Sequence, residues 1–297
     1  MSRKPITVGS LALAGYDDIF NAGRVNNGSE TVEEIPLAEL FPPEFHPFQV
    51  NDDEAMTRLT DSVKQYGVRE PGLVRPRAEG GYELLCGNRR KRACERAELA
   101  TMPVIIRELS DDLAVLVMVD SNLEQREKIL LSEKAAAYKM MMEALNHNGV
   151  KGESHSYEIM MERTGESKNQ IFRVIRLTDL ILTLADKVDA RQLAFNPAVE
   201  LSYLTPKEQT AVAEAMAAHE VKPSLSQAVR LKKLNQSGKL TLEMIDKMLS
   251  EEKKPPQSEP KGSARFRKYF PPDYSQKQMD AVIKELLTDW QKVRTAV

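Results

Sequence analysis

The stretch Gly81–Leu109, GYELLCGNRRKRACERAELATMPVIIREL, decides the fold of the first part of the chain. A strand-like run at residues 82–86 turns at Gly87 into a helix that starts with cations at residues 89–92, and a second strand follows at residues 102–107. Cations are unfavourable at a helix start, where the dipole already places partial positive charge. The free backbone N–H groups at a helix start favour an anion. Guanidinium groups favour an anion as well, because one guanidinium can bind two phosphate oxygens at once. The pattern predicts a polyphosphate site, and the alternative is a solvated basic turn.

Short strands alternate with short helices on either side of this stretch. Val32–Leu37 and Gly72–Pro76 have the composition of strands, and the second is expected to pair with residues 82–86 through a glycine turn. A helix capped by Asp52 or Asp53 ends at Gly67. Strands alternating with helices over residues 31–110 predict a small α/β domain.

The composition limits the classes of protein that need to be considered. With 41% hydrophobic and 29% charged residues and no long apolar run, the chain is expected to be soluble, with no membrane span or secretory signal. Its two cysteines lack metal-ligand spacing, which favours a reducing cytoplasm. A net charge of −2 does not indicate a nucleic-acid-binding protein. Evidence for DNA binding must therefore come from local clusters of positive charge. Residues 1–30 are rich in glycine and polar residues and are predicted to be a flexible tail with a short partner-binding segment.

From residue 111 onward every periodic segment is helical. Two short amphipathic helices, Ser156–Thr164 and Ser167–Leu177, are separated by Gly165-Glu166, which is the spacing of a helix-turn-helix. The second helix carries side chains that can reach phosphates and base edges, and asparagine, glutamine and arginine can bond bases bidentately. The predicted DNA-binding residues are Ser167, Lys168, Asn169, Gln170, Arg173 and Arg176. The alternative is an ordinary exposed polar helix face.

The C-terminal part consists of a linker and one helix. Residues 251–262, EEKKPPQSEPKG, are charged and proline-rich and have no apolar side chain to bury. Within residues 263–297, a single helical stripe contains Met279, Val282, Ile283, Leu286, Leu287, Trp290 and Val293. A lone amphipathic helix cannot bury such a stripe by itself, so we expect a homodimer. Docking of the helix onto its own chain is the alternative.

Taken in order from residue 32 to about 250, the motifs resemble those of the ParB/RepB partition proteins, whose members are CTP-dependent DNA clamps. Phe48-Gln49 resembles the family's Tyr-Gln-Pro-Arg segment, and Pro71–Pro76 resembles its first nucleotide box. GNRRKRA at residues 87–93 resembles the Gly-Glu-Arg-Arg-x-Arg-Ala triphosphate box, and SNLEQRE at residues 121–127 resembles the Glu-Asn-Leu-Gln-Arg-Glu metal box. FNPAVEL at residues 195–201 lies after the helix pair, as in the plasmid and mobile-element branch.

The resemblance implies a fold, cofactors and sites. The fold class is α+β: a ParB/sulfiredoxin-like nucleotide-binding domain at residues 31–110, an all-helical helix-turn-helix domain at 111–250 and a C-terminal dimerisation helix at 263–297. The implied cofactors are CTP and Mg²⁺. The implied nucleotide-binding residues are Arg75, Gly87, Asn88, Arg89, Arg90 and Arg92. Asn122 is the implied metal-holding residue, and Gln49 and Asn122 are the candidate catalytic residues for slow CTP hydrolysis.

The implied partners are double-stranded DNA with an inverted repeat, a second copy of the chain, and a ParA-type ATPase that contacts the N-terminal tail. The implied location is the cytoplasm, in association with the nucleoid. In the implied mechanism the dimer binds its palindromic site, CTP closes the N-terminal domains around the DNA, and the ring then slides.

Three departures from the family pattern bear on the nucleotide. Asn88 replaces the glutamate of the triphosphate box, Ser121 replaces a glutamate of the metal box, and Val50-Asn51 replaces Pro-Arg. Since Mg²⁺ prefers carboxylates and phosphates, the loss of two carboxylates is expected to weaken metal binding, slow hydrolysis or change which nucleotide is accepted. Two other functions stay open: a helix-turn-helix regulator with a degenerate nucleotide site, and an enzyme of the same superfamily such as a sulfiredoxin. A sulfiredoxin has its reactive cysteine at the position of Asn88, whereas Cys86 lies two residues earlier.

Overall fold

The computed structural model describes residues 31–125, 129–147, 153–250, 266–267 and 269–295. The predicted tail at residues 1–30 and the predicted linker at 251–262 lie outside these ranges. Residues 1–250 form one compact unit and residues 251–297 a second. The domain boundary near residue 110 stays a prediction.

The first unit contains five strands and eleven α-helices in the ranges described. The strands are β1 (Val32–Pro36), β2 (Leu40–Phe41), β3 (Gly72–Pro76), β4 (Tyr82–Cys86) and β5 (Thr101–Ile106). The helices are α1 (Glu54–Tyr66), α2 (Asn88–Arg96), α3 (Asp111–Gln125), α4 (Leu131–His147), α5 (Glu153–Thr164), α6 (Lys168–Ile175), α7 (Leu182–Asp189), α8 (Phe195–Leu201), α9 (Pro206–Ala218), α10 (Leu225–Gln236) and α11 (Leu242–Ser250). Single 3₁₀ turns lie at Leu37–Glu39 and Arg176–Asp179.

The strands form one mixed sheet in the order β1-β5-β3-β4-β2. β3 and β4 form the predicted antiparallel hairpin, β3 and β5 run parallel, and β1 pairs antiparallel with β5. Sequence patterning missed β2, which pairs with β4 over only two residues. A sheet followed by helices confirms the predicted α+β class.

Two apolar clusters hold this unit together, one around the sheet and one among the helices. Phe48 is buried in the helical cluster, whereas Val50, two residues later, packs against the sheet cluster. Leu73 of β3 and Cys86 of β4 also pack against the helical cluster. Each large side chain that is fully buried contributes about 1.5–3 kcal/mol. The turn after β4 therefore lies where the two clusters meet.

Side-chain caps set the start of several helices. Asp53 accepts a hydrogen bond from the Met56 amide, as predicted for α1. Thr205 and Glu208 form a reciprocal capping box at α9, with Pro206 in its first turn. The sequence indicates a chain turn at Pro197, but Pro197 lies in the first turn of α8. Proline is allowed there because amides in the first turn have no partner within the helix.

The sequence also predicts a helix over residues 178–185, but the observed helix, α7, begins later, at Leu182. Gln209 of α9 explains the shift: its Oε1 accepts from the Ile181 amide at 2.8 Å, and its Nε2 donates to the Asp179 carbonyl at 2.9 Å. These bonds satisfy backbone groups that a helix running from residue 178 would use itself. A contact across about 30 residues cannot be read from local periodicity.

The second unit contains α12 (Gln276–Thr295). Met279 is buried, whereas further along the predicted stripe Leu286, Leu287 and Trp290 are 65%, 57% and 56% exposed. Across the described ranges, no helix is both long and apolar enough to cross a membrane.

Candidate nucleotide cradle and DNA interface

Gly87 makes the turn from β4 into α2 with a φ of +111°. A Cβ atom at this position would lie 3.1 Å from Met102 Cε and 3.3 Å from Gly72 Cα. Both the left-handed backbone and the close approach of β3 therefore require glycine. We call Gly87–Arg92 the cradle.

Two cradle cations bind protein carbonyls. Arg90 donates from Nη1 to the carbonyls of Glu70 and Pro71 at 2.7 and 2.6 Å, and Lys91 donates from Nζ to the Leu40 carbonyl at 2.7 Å. These bonds fasten the segments before β3 and at β2 to the start of α2. In this structure Arg90, a predicted phosphate ligand, supports the loop beside the cradle.

The other two cradle arginines face Asp52 and Asp53, which we call the acidic pair. Arg92 Nη2 lies 2.6 Å from Asp52 Oδ2, and Arg89 Nη2 lies 3.6 Å from Asp53 Oδ1. The hydrogen bond from Arg92 holds the pKa of Asp52 below its usual value, and the same bond raises the pKa of Arg92. Carboxylates therefore stand where phosphates were expected. Sequence reasoning treated the acidic pair only as a helix cap, because no local signal links Asp52 to Arg92, 40 residues later.

Arg75 lies in a second ion-pair cluster. It pairs with Glu83 of β4, and its Nη1 donates to Asp111 Oδ1 at 2.6 Å and to the Leu109 carbonyl at 3.2 Å. Burial lowers the pKa of Arg75, but the bonds to Glu83 and Asp111 outweigh it and raise the pKa. Its described partners join β3 and β4 to the start of α3, and none belongs to the cradle.

Asn88 binds a histidine in the loop before α1. Its Nδ2 lies 3.1 Å from His46 Nε2, and His46 Nδ1 lies 2.7 Å from the Phe48 carbonyl. Because a carbonyl only accepts, Nδ1 carries the proton, and Nε2 can then accept from the Asn88 amide. The residue that replaces the family's glutamate therefore ties α2 to the loop that carries Gln49.

The two metal-box residues face into the protein. Ser121 is buried and lies 3.0 Å from Cys86 Sγ, while Asn122 donates from Nδ2 to the Met118 carbonyl at 2.8 Å. Burial raises the pKa of the Cys86 thiol. The described residues contain no group of three or more His, Cys, Asp or Glu that could hold a metal. Among the side chains of the box that the structure describes, the Asn122 amide oxygen is the candidate metal ligand.

Gln49, the second candidate catalytic residue, has an exposed side chain, and its backbone amide donates to Glu133 Oε1 at 2.8 Å. It lies in the loop before α1, whereas Asn122 lies on α3. A catalytic role for the two residues stays a prediction.

A cavity of about 570 Å³ adjoins His46 between the loop before α1 and helices α3 and α4. Its lining is mainly apolar, with Phe45, Val115 and Met140, and includes no cradle residue. The cavity is therefore less suited to a polyphosphate than the start of α2, where a phosphate site stays a prediction.

The helix-turn-helix consists of α5 and α6, joined through Gly165 at a φ of +68°. Ser167 caps α6 by accepting from the Gln170 amide at 3.3 Å. Ile171 and Val174 are buried on the inner face of α6. The predicted DNA-binding residues Ser167, Lys168 and Asn169 are exposed, and Gln170 is half-buried at the edge of the outer face.

The two arginines have different surroundings. Arg173 donates from Nη2 to Asn196 Oδ1 at 2.6 Å. Arg176 lies beyond the end of α6, donates to the Ser202 carbonyl at 2.7 Å, pairs with Asp179 at 2.5 Å and covers the Tyr203 ring. These contacts turn Arg176 toward the segment that follows α8.

Two ion pairs fasten the helix-turn-helix to α3 and α4. Arg163 of α5 donates to Asp120 of α3 at 2.7 Å, and the two side chains are 19% and 9% exposed. Lys134 of α4 lies 2.5 Å from Glu166 Oε1 in the turn, and this bond outweighs the effect of burial and raises the pKa of Lys134. Asp120 directly precedes the metal box. Sequence reasoning missed both pairs because their partners are 43 and 32 residues apart.

Comparison with known proteins identifies the N-terminal domain and several similar proteins. Residues 21–123 match the ParB N-terminal domain family. Stage 0 sporulation protein J of Bacillus subtilis is 37% identical over 166 residues, which are 56% of this chain and 55% of that protein. A nucleoid occlusion protein of Listeria monocytogenes is 31% identical over 193 residues, or 65% of this chain and 63% of that protein. A probable chromosome-partitioning protein ParB of Neisseria meningitidis is 29% identical over 200 residues, or 67% of each chain.

The chain thus spans between about half and two thirds of the length of these relatives. Its N-terminal part, residues 21–123, carries a ParB N-terminal domain. Its assignment to the plasmid or mobile-element branch stays a prediction.

Proposed function

We propose that this ParB family protein is a sequence-specific DNA-binding partition protein, which reads an inverted-repeat site as a dimer and is gated by CTP. The observation that carries the proposal is the helix-turn-helix, whose second helix exposes a polar outer face in a chain of this family. One relative is named as a probable chromosome-partitioning protein. The names of the other two refer to sporulation and nucleoid occlusion, so family membership alone does not fix the cellular role.

DNA reading is assigned to α6. In a helix-turn-helix the N-terminal residues of the second helix contact base edges in the major groove. Ser167, Lys168 and Asn169 are exposed there and carry the donors and acceptors that such contacts need. With a net charge of −2, the chain gains little from phosphate attraction over its whole surface, so base contacts have to supply much of the preference for one site.

CTP binding is assigned to the cradle. Its first turn combines a glycine, free backbone amides and arginines, and the acidic pair contacts two of these arginines. A triphosphate would take over the arginines from the acidic pair, since phosphate oxygens accept the same forked hydrogen bonds. Mg²⁺ would then be bound chiefly through the phosphates, with the Asn122 amide oxygen as the protein ligand.

Gating needs two states of the dimer that differ in their contacts with the nucleotide. In the proposed cycle, α12 joins two chains, α6 of each chain binds a half-site, and CTP in the cradle favours engagement of the N-terminal parts around the DNA. The ring then slides away from the site. A ParA-type ATPase that contacts residues 1–30, and a location at the nucleoid, complete the proposal.

The test is selection of binding sequences from a random DNA library by the full-length protein. We expect an enriched inverted repeat whose half-sites lie about one helical turn, or a multiple of it, apart. DNA binding that varies with salt concentration but selects no preferred sequence would contradict the proposal.

A second candidate is a helix-turn-helix regulator with an inactive nucleotide site. Asn88 bound to His46, and Ser121 buried against Cys86, favour it because neither box position offers a carboxylate. Calorimetric titration with CTP, ATP and GTP separates the two: binding of CTP alone supports the clamp, and no binding in the presence of the selected DNA supports the regulator. A redox enzyme is disfavoured, because burial raises the pKa of Cys86 and a reactive cysteine needs a lowered one.

A further inference from the structure

Arg173, the last arginine of α6, is held from outside the helix-turn-helix. Its Nη2 donates to Asn196 Oδ1 at 2.6 Å, and its Cζ lies 5.1 Å from the centre of the Phe195 ring. Both partners belong to the start of α8. A hydrogen bond in its plane and a ring beneath it restrain a guanidinium in position and orientation.

The restraint leaves most of the guanidinium available. Arginine has five N–H donors, and the bond to Asn196 uses one of them. Within the described ranges, Arg173 has no other hydrogen bond or ion pair. It lies four residues after the exposed Asn169, on the side of α6 opposite the buried Ile171.

Arg176 is the contrasting case. It bonds the Ser202 carbonyl, pairs with Asp179 and covers the Tyr203 ring, so its donors are directed at the protein. Of the two arginines at this end of the helix pair, Arg173 is therefore the one that is held in place and still able to donate.

We propose that Asn196, supported by the Phe195 ring, is a positioning residue that fixes Arg173 to read one guanine of each half-site. The proposal rests on the proposed DNA reading by α6. A mobile arginine can bind any nearby phosphate, whereas a restrained guanidinium can form a bidentate pair of hydrogen bonds with O6 and N7 of guanine. The restrained side chain also loses less conformational entropy on binding. Specificity is thus determined partly by a residue beyond the helix-turn-helix.

The experiment is selection from a random DNA library by the full-length wild type and by R173A, N196A, N196D and the control N235A. Asn196 is exposed, so N196A should fold, and N196D keeps an acceptor oxygen for Arg173. Asn235 is an asparagine on α10 whose side chain bonds Glu208. Each selected profile is compared at every base position, together with the salt dependence of binding to the wild-type site.

We expect R173A to lose roughly five- to 150-fold of the preference for guanine at one position of each half-site, the range for one bidentate contact. N196A should lose at least about fivefold at that same position, with an unchanged salt slope, because no phosphate contact is removed. N196D and N235A should keep the wild-type profile.

Three results would overturn the proposal. A wild-type profile from N196A would show that Arg173 needs no support from Asn196. Uniform weakening of N196A across all sequences, with a smaller salt slope, would place Arg173 on a phosphate. A wild type that selects no sequence would overturn the DNA-reading function as well, which distinguishes the two failures.

Discussion

At the residue scale, the cradle holds its positive charge in place with acceptors of its own. Arg89 and Arg92 face the acidic pair, and Arg90 faces two carbonyls, so protein acceptors hold the cations close together. Because the arginine side chains are already ordered, they lose less conformational entropy when a phosphate binds. The carboxylates, however, compete with the phosphate for the same arginines. Replacing a single side chain separates these two effects.

Arg89→Ala should weaken CTP binding by at least about tenfold, since a charge-assisted hydrogen bond contributes about 1.5–3 kcal/mol. Binding of the selected DNA site should change little, because α6 is a separate surface. Calorimetry with CTP and fluorescence anisotropy with DNA measure the two affinities. Lys64→Ala, an exposed cation on α1, is the matched control. Equal loss of both affinities would contradict the assignment of CTP binding to the cradle and DNA binding to α6.

Asp52→Asn tests the acidic pair through pH. The folded pKa of Asp52 is lowered by Arg92, so its contribution to stability is present above the unfolded value of about 4 and is lost as pH falls through the folded value. The unfolding free energy of the wild type should exceed that of the variant at pH 7, and the difference should shrink below about pH 4. Denaturant titrations from pH 7 to 3 measure it.

Arg92→Gln is the control background for that titration. With the main partner gone, Asp52→Asn should have a smaller effect at pH 7. A difference between wild type and variant that stays constant down to pH 3 would show that the carboxylate is not held by an ion pair.

The residues of the cradle were partly predictable. The Gly87 turn and the helix start followed from local pattern, because both are decided within a few residues. The partners were not predictable: Asp52 lies 40 residues from Arg92, and Asn88 was expected near phosphate but bonds His46. Such pairings depend on how the strands come together, which spacing along the chain does not encode.

At the element scale, α3 connects the two proposed sites. It carries Ser121 and Asn122, and one residue earlier Asp120 forms the ion pair with Arg163 of α5. A conformational change at one site can be transmitted to the other through α3, provided that the Asp120–Arg163 ion pair is strong enough to make α3 and α5 move together.

Asp120→Asn should lower the free energy of unfolding by about 3 kcal/mol, because it removes one charge of a largely buried ion pair. The double variant Asp120→Leu/Arg163→Met should cost less, since well-packed apolar residues often replace a buried pair without loss. Glu54→Gln, which breaks an exposed pair with Arg58, is the control and should cost less than about 1 kcal/mol. If Asp120→Asn were as mild as Glu54→Gln, α3 and α5 would not be firmly coupled.

Most elements were predictable, and the misses have physical causes. Apolar periodicity and caps located α1, α5 and α6, because their signals lie within one or two turns. The late start of α7 depends on Gln209 of α9, and β2 depends on pairing with β4. Both are tertiary contacts that override local preference.

At the scale of the whole molecule, α12 presents apolar side chains that its own unit leaves exposed. Leu286 and Leu287 are 65% and 57% exposed on the stripe that begins at the buried Met279. A second copy of the same helix would cover this stripe, which is the basis of the proposed dimer.

Leu286→Asp/Leu287→Asp should convert a dimer into a monomer, because a charge in an apolar interface loses its water without gaining a partner. Sedimentation equilibrium of the full-length protein measures the mass. Lys284→Asp alters the charge of the same helix away from the stripe and should remain dimeric. A double variant with the same mass as the wild type would show that the stripe is not the dimer interface.

The most direct test of the CTP-gated clamp compares DNA that is closed at both ends with DNA that has one free end, both carrying the selected site. The amount of protein that stays bound after a high-salt wash is measured with and without CTP. We predict retention on closed DNA with CTP, and loss from open DNA or without CTP, because a ring can leave only over an end. Equal retention on open and closed DNA, regardless of CTP, would contradict the clamp and identify a helix-turn-helix regulator.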